Sequence, residues 1–249
     1  MVSSFAERYI DVTIELLRKV KDEELPAIEA AAADIAAAIT SGARVFAFGC
    51  SHSSLAVQDL VYRAGGLMLV NPLFAPGLAS VDIRPVTLGS ALEKLPGLAG
   101  TVLEHSPARR GDVLIIVSVS GRNAVPIEMA QLAREKGMLV VGVTSRPCTE
   151  AVESRHASGH KLKDVCDHVL DSKVSPGDAE LDAPGLPQRF GPASNVVNVA
   201  ILHSLVAAVV ERLSAREATP PVFMSANADG GHEWNDKLLA EHADRIFYL

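Results

Sequence analysis

Two short apolar runs, each ending in small hydroxylated residues, constrain this chain more than any other feature. The first, residues 44–54, passes from Val45, Phe46, Ala47 and Phe48 into Gly49, Cys50, Ser51, His52, Ser53 and Ser54. The second, residues 112–123, passes from Val113, Leu114, Ile115, Ile116 and Val117 into Ser118, Ser120, Gly121, Arg122 and Asn123. An apolar run of this length reads as a buried strand, and a strand that enters a helix leaves N–H groups unpaired at a positive helix mouth. Serine hydroxyls add donors to the same cup, and Gly49 lets the backbone approach a ligand closely. Either turn alone also fits the capped strand-to-helix connection of any α/β protein. Two in one chain point to a phosphate-like anion.

The rest of the chain repeats the alternation. Phe5, Tyr9, Ile10, Ile14, Leu17 and Val20 have helical spacing over residues 3–20, and an alanine-rich helix with Pro26 in its first turn is expected over 25–40. Strands are expected over 45–48, 67–70, 113–117, 138–143 and 167–170, with helices over 53–63, 90–98, 124–136, 149–156 and 192–213. Proline- and glycine-punctuated loops fill 71–81 and 173–190. The absence of hairpin signals predicts an α/β fold: a doubly wound parallel sheet of about five strands flanked by helices, with extra N-terminal helices and a polar C-terminal loop. Its ligand belongs at the carboxyl ends of the strands, where both serine-rich turns fall. The expected division is an N-terminal helix over 1–24, a ligand-binding domain over 25–216 and a site-closing segment over 217–249.

Composition excludes several classes. At 249 residues and 48% hydrophobic content the chain can bury a large core. A formal charge of -7 opposes a general nucleic-acid binder but permits a local anion site. Cys50, Cys148 and Cys166 have neither disulfide nor metal spacing, which suits a reduced, cytoplasmic setting. Residues 1–12 lack a signal-peptide pattern, and the apolar segment 196–210 is short for a bilayer and contains Asn198, His203 and Ser204, so a buried helix and no membrane association are expected. The first turn lacks the G-x-G-x-x-G dinucleotide fingerprint, and no P-loop is present.

At these two turns the chain resembles the sugar isomerase (SIS) domain family. The family's first loop, G-x-G-x-S, is matched by Gly49 to Ser53 with Ser51 replacing the second glycine; its second, S-x-S-G-x-T, is matched by Ser118 to Asn123 with Asn123 replacing threonine. The likeness covers roughly residues 25–213. Over its whole length the chain resembles a bacterial phosphosugar-binding subgroup, through Tyr62 to Gly66, Asn71-Pro72, Ser154 to His156, Ser158-Gly159, Gly191 to Ser194 and Asn227 to Asn235. The resemblance implies a phosphosugar ligand, no metal or organic cofactor, and a homodimer whose site is completed by the partner chain. The phosphate would lie on Ser51, His52, Ser53, Ser118, Ser120, Gly121, Arg122 and Asn123.

SIS enzymes remove a proton beside a carbonyl, so a carboxylate or histidine is needed near the phosphate cup. Glu93 is the first candidate, because relatives that eliminate a group from an N-acetylated sugar phosphate use glutamate bases. Its spacing from Ser90 fits a capping box equally well. Asp59 is a second candidate, or a solvated helix residue paired with Arg63 at i+4. His232 and Glu233 lie in the polar stretch 227–235, read as a loop that closes the site, with Asn227 as a further substrate contact. His52 is placed to assist ring opening or to cap a helix. His203 reads as a core histidine, while Arg84 and Arg122 can neutralise phosphate or be ordinary surface residues. The expected activity is dehydration of N-acetylglucosamine 6-phosphate. A phosphosugar aldose–ketose isomerase and a non-catalytic phosphosugar sensor are the alternatives; too few residues precede the SIS region for a helix-turn-helix domain.

Overall fold

Strands in this chain are fixed by runs apolar on both faces, which only a sheet covered on both sides can bury. A computed structural model describes residues 3–79, 84–216 and 219–249. Met1 and Val2, the end of the expected 71–81 loop and the start of the expected C-terminal segment at 217–218 lie outside the described residues.

Five parallel strands, β1 (Val45–Gly49), β2 (Val70–Pro72), β3 (Val113–Val117), β4 (Leu139–Thr144) and β5 (His168–Asp171), form one sheet in the order β2-β1-β3-β4-β5. Side chains alternate between its faces. Val45, Ala47, Val113, Ile115 and Val117 join the core formed with α1 (Phe5–Thr40), α2 (Ser53–Gln58) and α7 (Ser194–Ser214). Phe46, Phe48, Leu114 and Ile116 join the opposite core with α4 (Leu98–Glu104) and α5 (Ala124–Glu135). The doubly wound parallel sheet expected from the alternation is therefore present.

Several elements differ from expectation. The two N-terminal helices are one, since α1 continues through Pro26 for 36 residues. The carbonyl left without a proline N–H belongs to exposed Asp22, which solvent can satisfy. Lys173, after β5, grips this part of the helix, with its ammonium 2.6 Å from Glu24, 2.9 Å from Glu23 and 3.2 Å from Asp171. Burial alone would lower the Lys173 pKa, but these carboxylate bonds raise it well above its usual value.

The helix expected over 53–63 stops at Gln58, and Tyr62 adopts a left-handed backbone at φ 48. Strand β2 lies beyond the expected 67–70, because Leu67 and Met68 pair instead with Val222 and Pro221 of the C-terminal region. The helix expected over 90–98 is α3 (Thr87–Leu92), which ends ahead of Leu95-Pro96, where the residue before proline disfavours helical backbone. The capping-box alternative is thereby overturned: Ser90 is inside α3 and Glu93 is its C-cap. The helix expected over 149–156 is α6 (Arg146–Glu150), started by the Ser145 hydroxyl accepting from Cys148 N at 3.1 Å.

The polar C-terminal loop is largely a helix, α8 (Gly231–Glu241). Trp234 and Leu238 share one of its faces and pack on the core, and Trp234 Nε1 donates to Val222 O at 3.0 Å. Trp234 is thus a packing residue. Helix α7 is long and apolar enough by composition to cross a bilayer, yet it lies against α1 and the sheet with Asn198 buried.

Candidate functional site

Where the strand order reverses, the connections leaving β1 and β3 diverge to opposite faces and leave a crevice between their carboxyl ends. Both serine-rich turns line that crevice, a cavity of about 410 Å³ shared by Ser51, His52, Ser53, Glu93, Ser118, Ser120, Arg122, Asn123 and Arg155.

In the first turn, a Cβ on Gly49 would meet Ser53 O at 2.7 Å, so β1 can run directly under α2 only with glycine there. Ser51 has φ 49, the left-handed conformation natural to glycine. That is the position at which the SIS pattern has its second glycine, and serine holds the same backbone. The N–H groups of Ser51, Ser53 and Ser54 are already bonded to Leu78, Cys50 and Ser51 carbonyls. Among the described residues the His52 N–H has no partner, so this turn presents its hydroxyls and one backbone donor. His52 is exposed and makes no capping bond to α2.

The second turn is arranged the other way. Its carbonyls point out of the crevice and are satisfied there: Val119 O by Ser145 N and Thr144 Oγ1, Ser120 O by Thr149 Oγ1, Gly121 O by Leu162 N, and Arg122 O by Arg155 N. Among the described residues, the N–H groups of Ser120, Gly121, Arg122 and Asn123 have no partner. With Gly121 left-handed at φ 57, these successive donors make an anion-binding nest. The hydroxyls of Ser51, Ser53, Ser118 and Ser120 likewise bond nothing among the described residues. Arg122 adds a guanidinium with no carboxylate partner there, and its buried Nε has no hydrogen-bond acceptor.

Above this cup stands Glu93, half-buried, whose Oε1 accepts from Asn123 Nδ2 at 3.0 Å. Burial, with the Glu93 carboxylate nearby, pushes the Cys50 thiol far above its usual range. Cys50 is buried in the floor of the cup, an environment that disfavours a thiolate. Asp178, also in the wall, is committed to α7, where its carboxylate accepts from Ala193 N, Ser194 N and Ser194 Oγ.

The remaining sequence candidates lie elsewhere within the single chain. Asp59 Oδ2 is 2.7 Å from His203 Nε2 and 2.6 Å from Arg63 Nη1, forming a cluster on the α2–α7 face rather than in the cup. His203 is therefore a partly exposed hydrogen-bond partner of Asp59, not the enclosed core histidine expected. His232 lines a separate hollow with Tyr62, Arg63 and Asn235, while Glu233 and Asn227 are exposed. Arg84 is exposed and is not in the cup wall. Arg155 belongs to the Ser154 to His156 feature of the subgroup resemblance, but nothing local in the sequence assigns it to the site.

Another cavity, of about 450 Å³, opens at the amino edge of the sheet beside Arg216 and Arg245. Those arginines are engaged by the end of α1, through Thr40 Oγ1 at 2.8 Å and Ile39 O at 3.2 Å. They complement a helix terminus that has no basic residue of its own.

An open parallel sheet with a nest of uncommitted donors at its switch point defines a doubly wound α/β protein of the small-ligand-binding class. Within that class the chain belongs to the SIS domain family, whose model matches residues 8–145. A UPF0309 protein of Streptomyces griseus is 56% identical over 246 residues, covering 99% of this chain and 98% of that protein. Among solved structures, phosphoheptose isomerase GmhA from Neisseria gonorrhoeae superposes with a TM-score of 0.55 at 17% identity, covering 84% of this chain and 100% of that one. The Vibrio vulnificus NanR protein complexed with ManNAc-6P superposes with a TM-score of 0.51 at 16% identity, covering 96% of this chain and 70% of that one. At such identities the solved structures share the fold.

Proposed function

We propose that the chain binds a sugar phosphate in this cup and removes a proton from the carbon beside the sugar's carbonyl, with Glu93 as base. One observation carries the reading: uncommitted anion donors and a carboxylate share a single cavity of about 410 Å³. A phosphate dianion would accept from the four serine hydroxyls, the N–H groups of the second turn and Arg122. Charge-assisted bonds of this kind are about twice as strong as neutral ones. With the phosphate anchored, the reactive carbons of the sugar extend toward Glu93.

The substrate we favour is N-acetylglucosamine 6-phosphate. Glu93 would take the C2 proton, the C2–H electron pair would form the C2=C3 bond, and the C3 hydroxyl would leave as water after accepting a proton. His52 is the histidine in the cup wall of the same chain. Asp59, His232 and Glu233 would serve as the second acid or base only in a homodimer that brings one copy's outer face to the other's cup. No cofactor enters this route.

In a homodimer that carries it to the cup, the Asp59–His203 contact of 2.7 Å would favour a second reading, aldose–ketose isomerisation. That pair would move the hydroxyl proton while Glu93 returns its own proton to C1. The GmhA likeness is consistent with it.

Incubation with N-acetylglucosamine 6-phosphate in deuterated water, followed by NMR, tests the proposal. Loss of the C2 proton with an unsaturated product is expected, and Glu93→Gln should bind the sugar yet abolish exchange. Exchange without elimination would favour the isomerase, and binding without exchange a sensor.

A further inference from the structure

Asn123 occupies the N-cap of α5 with a backbone suited to capping, φ -84 and ψ 155, yet its side chain makes no capping bond. Neither usual capping donor is free. Val125 N donates to the Glu93 carbonyl at 3.1 Å, and the next residue, Pro126, has no N–H. The amide turns outward instead. Its Nδ2 donates to Glu93 Oε1 at 3.0 Å, and its Oδ1 accepts from Arg155 Nη1 at 3.2 Å.

An amide supplies both ends of this bridge. A guanidinium only donates and an ionised carboxylate only accepts, so the side chain between them must offer an acceptor to one and a donor to the other, and asparagine offers these on two separate atoms. Arg155 decides which end of the amide faces Glu93, and its own N–H donates to Arg122 O at 2.8 Å. The N-cap and first turn of α5 therefore hold Glu93 by both its backbone carbonyl and its carboxylate. Threonine, which the SIS pattern has here, offers one hydroxyl oxygen in place of the two amide atoms.

From this we infer that Asn123 and Arg155 are positioning residues that aim the Glu93 carboxylate over the phosphate cup. The inference rests on the reading of Glu93 as the base. The backbone N–H of Asn123 remains with the anion nest, so phosphate binding and carboxylate positioning are separable at this residue.

The test combines kinetics with NMR on the full chain. Asn123→Thr should keep its melting temperature and its affinity for inorganic phosphate. Its kcat for C2-proton exchange on N-acetylglucosamine 6-phosphate should fall about 10–100-fold at nearly constant KM. Asn123→Asp, which keeps the acceptor for Arg155 but sets a second carboxylate against Glu93, should fall further. Arg155→Met should lower kcat, and Arg155→Lys should recover part of the loss. Independently of turnover, the Asn123 side-chain NH₂ resonances, assigned by their loss in Asn123→Thr, should move in both Glu93→Ala and Arg155→Met.

Wild-type kcat in Asn123→Thr, or an NH₂ pair unmoved by either partner's removal, would overturn the inference. If the wild-type chain exchanges no phosphosugar proton, the proton-abstraction reading is what has failed. In that event the NH₂ pair alone decides whether the bridge exists.

Discussion

At Ser51 and Asn123 the chain departs from the SIS pattern, and the two departures have different consequences. Ser51 keeps the left-handed backbone of the glycine it replaces, at the strain of about 1–3 kcal/mol that a non-glycine residue bears there. Its hydroxyl adds a donor to the cup. Asn123 changes what the position does, because its amide reaches Glu93 and Arg155. Arg122 is the residue on which the proposed anion binding leans most directly, with a buried Nε that has no acceptor among the described residues. Arg122→Met should weaken phosphosugar binding about 10–100-fold, the range expected for one charged hydrogen-bond partner. Calorimetric titration would measure this, and thermal stability should be unchanged or slightly higher, since an unsatisfied buried donor is removed.

At the scale of elements, long-range ties override local signals. Proline would normally end a helix, but α1 runs through Pro26 and is held beside it by Lys173. The C-terminal segment is secured similarly. Buried Asn71 on β2 donates to Arg245 O at 2.9 Å and accepts from Phe247 N at 2.6 Å, while Arg245 Nη2 lies 2.6 Å from His242 Nδ1. Burial, and then the charge of Arg245, hold His242 below its ordinary pKa of 6.5, with Glu241 and Asp244 opposing that shift. A depressed folded-state pKa means that the neutral ring stabilises the fold above pH 6.5, and that this contribution is lost as pH falls through the folded value. Melting temperature should therefore drop more steeply below pH 6.5 in the wild type than in His242→Gln. Parallel curves for the two would contradict this.

For the whole molecule, the unusual feature is the outer side of α7. Val196 is 45% exposed, and Val199, His203, Ala207 and Val210 continue the same stripe at helical spacing. Neighbouring α1 exposes Ile10 and Ile14 at 59% and 40%. A homodimer using this face would cover apolar surface and give Asp59 and His203 access to a partner's cup. Val196→Glu should then convert a dimer to a monomer in light scattering without unfolding the chain, and should lower activity together with assembly. A wild-type chain that is monomeric at micromolar concentration would remove this arrangement.

The sequence by itself determined the sheet and the place of the cup. Strands β1, β3 and β4 are apolar on both faces, so each could be read locally, and the serine-rich exits of β1 and β3 had to fall at the carboxyl edge. Tertiary structure decided the rest. Glu93 could be a capping residue or a cup residue on local spacing, and only its place at the end of α3 and its bonds to Asn123 and Val125 resolved this. His232 and Glu233 resembled a site-closing loop because they are polar and flanked by glycine, whereas the apolar face of Trp234 and Leu238 makes their segment a helix packed on the core. The two serine turns looked alike in sequence, but they differ in which backbone groups their neighbours consume. That accounting depends on Leu78, Ser145, Thr149 and Leu162, none of which is adjacent in the chain to the donors it leaves bonded or free.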